Sequence, residues 1–190
     1  MSAPTMSDLV PLIPSKPVPA LEVQTLDGPW SLSGSGASAF TMVVFYRGYH
    51  CPVCKKQLLE LKEKLGAFTE AGVAVIALST DGEERARLAS DEWGLDGLKI
   101  GYGLSLSEAR AWGLYLSQSR GMTSTGVEEP RIFNEPGLFL VRPDGTLYAS
   151  FIQTTPFARP GLDDLLSAIG FVAKTDYPPR GTVETVASVA

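Results

Sequence analysis

The run TMVVFY, residues 41 to 46, followed at once by RGYHCPVCKKQLLELKEKL, constrains the fold of this chain more than any other feature. A continuous β-branched and aromatic run reads as a strand buried on both faces, and such a strand belongs at the centre of a covered sheet. From Pro52 the period changes. Cys54, Leu58, Leu61, Leu65 and Phe68 recur at three- and four-residue steps, marking one face of a helix that ends near Ala71-Gly72. A buried strand feeding directly into a helix puts the first helical residues at the carboxyl end of the sheet, where open α/β sheets place their sites.

The rest of the chain alternates in the same way. VAVIALS, residues 73 to 79, reads as a second buried strand, DGEERARLASDEWG as a helix with an acidic first turn, and LKIGYG as a short edge strand. LSEARAWGLY, residues 106 to 115, reads as another helix. Residues 21 to 34 alternate around Asp27-Gly28 and residues 137 to 153 around Asp144-Gly145, each pattern predicting a hairpin. GLDDLLSAIGFVAKTD closes the chain as a helix with Leu162, Leu165, Leu166 and Ile169 on one side. Residues 116 to 135 lack periodicity and read as an insertion near the working face or a long loop. The expected architecture is α/β, a central mixed β-sheet flanked by helices on both faces, with an N-terminal β-hairpin extension. The domain spans residues 21 to 177, after a proline-rich extended lead-in (1 to 20) and before a peripheral tail (178 to 190).

At 190 residues the chain builds one core without disulfide staples. Its net charge of -5 and lack of a lysine- and arginine-rich run remove the electrostatic footprint of nucleic-acid or basic membrane-surface binding. Prolines interrupt every apolar stretch of the first 20 residues, so no secretory signal is read there, and no run is long enough to span a membrane. The expected setting is the cytoplasm, where cysteines serve catalysis or metal binding more often than structural bridges.

Both cysteines and the single histidine fall between residues 50 and 54. Cys51 sits at the helix start and Cys54 one turn inside, with β-carbons about 5 to 6 Å apart on one face, a spacing a disulfide can close. The helix N-terminus carries roughly half a positive charge, and Lys55, Lys56, His50 and Arg47 stand near it in sequence. Thiol pKa values in such settings fall to about 3.5 to 7.5 from about 8.5. Pro52 suits the first turn, where its missing N–H costs no hydrogen bond. Two cysteines and one histidine do not complete a tetrahedral zinc set, and a histidine adjacent to the cysteine is badly placed as a hydrolase base.

These residues resemble a known group. VVFYRGYHCPVCKKQL is similar to the active-site segment of the thioredoxin-like superfamily, and more closely to the peroxiredoxin-like branch of the alkyl hydroperoxide reductase and thiol-specific antioxidant (AhpC/TSA) family. LEVQTLDGPWSL, VAVIALSTD, GLFLVRPDGTLY and PFARPGLDDLLSAIGFVAKTDYPPRG fit that branch as well. The resemblance implies a thioredoxin-like fold and a thiol-dependent oxidoreductase that reduces peroxides or disulfides through a Cys51–Cys54 dithiol/disulfide. It implies a thioredoxin- or glutathione-type electron donor and no bound cofactor, and it allows a homodimer. Peroxiredoxins place a proline, a threonine or serine, and a distant arginine around the peroxide-reacting cysteine. Laid on that pattern with Cys54 as the reacting thiol, this chain has Arg47, Cys51 and Pro136 at those places. On the thioredoxin pattern Cys51 attacks, Cys54 resolves, and Pro136 is placed for the cis-proline that packs against the cysteine motif.

Cys51 is expected to be the attacking thiol because it should be the more exposed of the two. Arg47 and His50 are candidates for activating it; Thr80 and Asp81, at the end of the second strand, line the site or cap the next helix. Arg159 has no role that the sequence reveals. A redox-sensing or partner-binding module without turnover, and a metal chaperone using both thiols, are the competing functions.

Overall fold

The computed structural model describes residues 9 to 185. In chain order these form β1 (Glu22–Thr25), β2 (Gly28–Ser31), β3 (Phe40–Phe45), α1 (Pro52–Glu63), α2 (Leu65–Glu70), β4 (Val73–Leu78), α3 (Glu83–Trp93) and β5 (Ile100–Tyr102). There follow α4 (Leu106–Ala111), β6 (Leu116–Gln118), β7 (Ile132–Asn134), β8 (Gly137–Val141), β9 (Leu147–Ile152) and α5 (Leu162–Thr175). The main sheet has seven strands in the order β2-β1-β5-β4-β3-β8-β9. β3 is buried at every residue, parallel to β4 and antiparallel to β8.

The alternation of β3 divides the core. Phe40, Met42 and Val44 face a layer built from Leu58 and Leu61 of α1, Phe68 of α2, Ala86 and Ala89 of α3, and Leu165 and Ile169 of α5. Val43 and Phe45 face the other side, where Trp112 packs on Phe45 and Phe139 at centroid distances of 5.3 and 5.1 Å. Fully burying each large apolar side chain contributes about 1.5–3 kcal/mol, so both layers hold β3. The mixed sheet, the helices on both faces and the N-terminal hairpin agree with the expected architecture. No helix of the described residues is long and apolar enough to cross a membrane.

Several elements depart from the sequence reading. The strand at Ile100–Tyr102 is interior, because the β1–β2 hairpin adds to it through Gln24 opposite Tyr102 and Thr25 opposite Gly101. The helix begun at Pro52 breaks at Lys64, whose φ of -96° and ψ of 2° restart the chain as α2. α4 stops at Ala111 because Gly113 takes a φ of +74°, and the Leu114 N–H bonds back to Ala109. The aperiodic insertion carries a two-stranded ribbon, β6 against β7, whose three-residue strands are too short to show a period. The lead-in is pinned to the β8–β9 hairpin: Ser15 N donates to Leu147 O at 2.8 Å and Val18 N to Gly145 O at 3.0 Å.

Candidate active site

β3 ends at Phe45, and the chain crosses to α1 in six residues, Tyr46 to Cys51. Asp81, just past β4, anchors that crossing: Oδ2 accepts the Tyr49 N–H at 2.7 Å and Oδ1 accepts Arg85 Nε at 3.1 Å. Asp81 therefore ties the loop to Arg85 of α3 and does not cap that helix, whose N-cap is Gly82 with no side-chain capping bond. Gly48, at φ +130°, lies so close that a β-carbon there would stand 2.6 Å from Asp81 Oδ2. Asn134 of β7 ties the ribbon to the same place. Its Nδ2 donates to Tyr46 O at 3.0 Å and its Oδ1 accepts from Thr80 N at 3.1 Å.

Cys51 is the N-cap of α1, and its Sγ accepts the Cys54 N–H at 3.3 Å. Pro52 occupies the first turn, and no acidic residue there competes for the helix terminus. Both thiols are free and both are buried, Cys51 at 1% and Cys54 at 0% exposure. The expected greater exposure of Cys51 is not found, because Cys51 belongs to the same buried core cluster as Tyr46 and Cys54. Val127 and Thr125 of the ribbon loop line a cavity of about 160 Å³ together with Pro52, Tyr49 and Lys55. What separates the two sulfurs is charge. A hydrogen bond from the Cys54 side chain, helped by the Cys54 N–H and by Arg47, outweighs burial and lowers the Cys51 pKa from 9.0 to about 6. Burial, reinforced by the neighbouring Cys51, raises the Cys54 thiol well above its ordinary value.

Arg47 stands between the cysteines and the ribbon. Its N–H donates to Cys54 Sγ at 3.4 Å, and its guanidinium stacks on Phe133 at 4.7 Å from the ring centroid. Nη2 pairs with Glu129 at 3.5 Å; Nε lies 3.1 Å from Glu135 Oε2 without the alignment of a hydrogen bond. His50 does not supply the positive charge expected of it. Burial, with Arg47 and Arg85 nearby, pushes its pKa down to about 3, and the neutral ring packs edge-on against Phe133. Lys55 and Lys56 are exposed on the outer side of α1. Pro136 precedes Gly137, the partner of Phe45 across the β3–β8 pairing, and so stands at the mouth of the crossing loop. Its peptide bond is trans, as are all those described, so it does not take the cis-proline place of the thioredoxin pattern.

Sequence reasoning missed Glu129, Glu135 and Asn134, and it left Arg159 without a role. Arg159 reaches Cys54 Sγ with Nη2 at 3.5 Å, from 105 positions away. A cation absent at position 136 of the peroxiredoxin pattern thus reaches the site from a different segment. No local signal marks these residues, since each acts on a partner distant in sequence. Among the described residues no group of three or more histidine, cysteine or acidic side chains is arranged to hold a metal ion.

Because the Cys51 pKa is lowered, its ionisation stabilises the reduced fold fully above 9.0, and that contribution is lost as pH falls through about 6. Alkylation of reduced protein by iodoacetamide is expected to modify Cys51 first, with a midpoint near pH 6. Glu135→Gln, which removes a negative charge from the side of Arg47, is expected to move that midpoint lower; an unchanged midpoint would show that the carboxylate does not act on the thiol.

The family model for AhpC/TSA matches residues 14–150, a span that holds the β3–α1 crossing, both thiols and β8. The chain belongs to the AhpC/TSA family. This AhpC/TSA protein is 29% identical over 123 residues to Mycobacterium tuberculosis proteins provisionally named peroxiredoxins, a match spanning 64% of the chain and 78% of the relative. Its fold resembles the peroxidoxin BcpB from Mycobacterium tuberculosis, with a TM-score of 0.66 at 17% identity, over 85% of this chain and 98% of that one. A peroxiredoxin 6 of Arenicola marina aligns with a TM-score of 0.67 at 18% identity, over 93% of this AhpC/TSA chain and 86% of the other.

Proposed function

We propose that the chain reduces peroxides, with Cys51 as the attacking thiolate and Cys54 as the resolving thiol. The observation that carries this reading is the position of the Cys51 sulfur, capping α1 and accepting the Cys54 N–H at 3.3 Å. A thiolate there is the stronger nucleophile at neutral pH, while Cys54, in the core, stays protonated. Membership of the AhpC/TSA family makes thiol-dependent redox chemistry the expected activity.

The Cys51 thiolate attacks one peroxide oxygen: an S–O bond forms, the O–O bond breaks, and the alkoxide or hydroxide leaves to take up a proton. The sulfur, oxidised by two electrons, becomes a sulfenic acid. Cys54 then attacks that sulfur; an S–S bond forms, the S–O bond breaks, and water is released. A thioredoxin- or glutathione-type donor in the cytoplasm returns two electrons and two protons, and a homodimer is compatible with this cycle.

Burial of both sulfurs favours a small peroxide over a protein disulfide, which could reach Cys51 only if the surrounding chain opened. With dithiothreitol as reductant, hydrogen peroxide is expected to be consumed at least about tenfold faster than insulin disulfides are reduced, a difference of roughly 1.4 kcal/mol in barrier. Reduction of insulin without peroxide turnover would sink the reading.

A further inference from the structure

The second step of this cycle poses a problem that the first does not. Cys54 must become a thiolate to attack the Cys51 sulfenic acid, yet it is fully buried on the leucine face of α1. We propose that Arg159 activates Cys54 for that resolving step, acting as a second guanidinium distinct from the one that serves Cys51. This inference rests on the reading in which Cys51 strikes first.

The geometry is specific. Arg159 lies in the loop between β9 and α5, and its guanidinium is fixed on three sides. Nε donates to Gln57 Oε1 at 2.9 Å, and Nη1 donates to Pro156 O at 2.7 Å and to Ala158 O at 2.8 Å. Gln57 is itself buried, three residues after Cys54 and so on the same face of α1. The remaining nitrogen, Nη2, points at Cys54 Sγ from 3.5 Å. The anchoring therefore presents one N–H edge to one sulfur.

The two arginines at the site differ in compensation. Arg47 is balanced by Glu129 and Glu135, whereas no carboxylate among the described residues pairs with Arg159. All its other partners are neutral oxygens. A partly buried cation with neutral anchors and a sulfur at its free edge favours an anion at that sulfur, because the pair replaces two separately desolvated charges. The same arrangement opposes the burial that keeps Cys54 protonated. In the resting enzyme the thiolate is at Cys51; once Cys51 is oxidised, its negative charge is gone and Arg159 can hold the charge at Cys54. The Cys54 proton leaves to solvent or to the departing hydroxide, and the Cys54 electron pair forms the disulfide.

The test is a single turnover of the full-length protein with hydrogen peroxide, comparing wild type, Arg159→Gln and Arg159→Lys. A dimedone-type reagent traps sulfenic acid, mass mapping locates it, and each variant's thermal melt reports folding. Oxidation of Cys51 is expected to proceed at the wild-type rate in all three. Disulfide formation near pH 7 is expected to fall roughly tenfold in Arg159→Gln, the effect of one pKa unit, with sulfenic acid accumulating at Cys51. That deficit should shrink as pH rises and Cys54 ionises unaided, a pH signature that a purely structural loop anchor would not produce. Lysine, which keeps the charge but not the three-sided anchoring, is expected to recover part of the rate. Equal rates of disulfide formation in folded Arg159→Gln and wild type from pH 6 to 9 would overturn the proposal. If only Arg159→Lys folds, a wild-type rate and pH profile in that variant would overturn it. Sulfenic acid at Cys54 instead of Cys51 in wild type marks a different failure, that of the underlying choice of nucleophile.

Discussion

Cys51→Ser is expected to abolish peroxide turnover, while Cys54→Ser is expected to react once per chain and then stop. The first loss should be on the order of 10³-fold or more, since a serine hydroxyl at the same helix N-terminus stays protonated at neutral pH and is not an equivalent nucleophile. The second variant keeps the thiolate and its Arg47 neighbour but lacks the resolving thiol, so a Cys51 sulfenic acid should persist and be trapped quantitatively. Stoichiometric peroxide consumption, measured without reductant and followed by mass mapping, separates the two. If Cys51→Ser is oxidised at Cys54 at the wild-type rate, the nucleophile is Cys54 and Arg159 faces the attacking sulfur. Retention of turnover in both variants would remove the dithiol from the mechanism altogether.

Gly48→Ala is expected to be the most damaging substitution outside the cysteines. The position has a φ of +130°, and the added β-carbon would meet the Asp81 carboxylate at 2.6 Å. Asp81 cannot retreat cheaply, because it is buried and bonded to both Tyr49 N and Arg85 Nε. Strain and a disrupted buried hydrogen bond together cost about 3 kcal/mol or more. For a chain of this size such a loss lowers Tm by roughly 6 to 12 °C. Activity should fall further than stability, because the Tyr49–Asp81 bond sets where the crossing loop delivers Cys51, and displacements of about 1 Å at a reacting centre can cost 10²-fold. Asp81→Ala in the same chain should relieve part of the clash, so the two losses will not add. A thermal melt of Gly48→Ala within 2 °C of wild type, with peroxide consumption unchanged, would show that the loop tolerates the side chain.

The strand at 41–46, the helix from Pro52 and both hairpins could be placed from periodicity and turn residues, because those signals are local. The interior position of β5 could not: it depends on the β1–β2 hairpin adding beside it, a pairing between segments about 75 residues apart with no local mark. Cys51 remains the proposed nucleophile, but on different grounds. It was expected from exposure, and the fold buries both thiols; the difference comes from the helix terminus and the charges around each sulfur. His50 misled for a related reason. A histidine beside a cysteine in sequence looks like a cation, yet packing against Phe133 under Arg47 and Arg85 keeps it neutral.

Residue order alone dictated that two thiols share one turn at the start of a helix fed by a buried strand, since spacing, capping and period act over a few residues. The environment that makes those thiols unequal was decided only by tertiary structure. Asp81 reaches Tyr49 across 32 positions, Glu129 reaches Arg47 across 82, and Arg159 reaches Cys54 across 105. Electrostatic effects depend on distance in space and on burial, and neither is written in the neighbours along the chain.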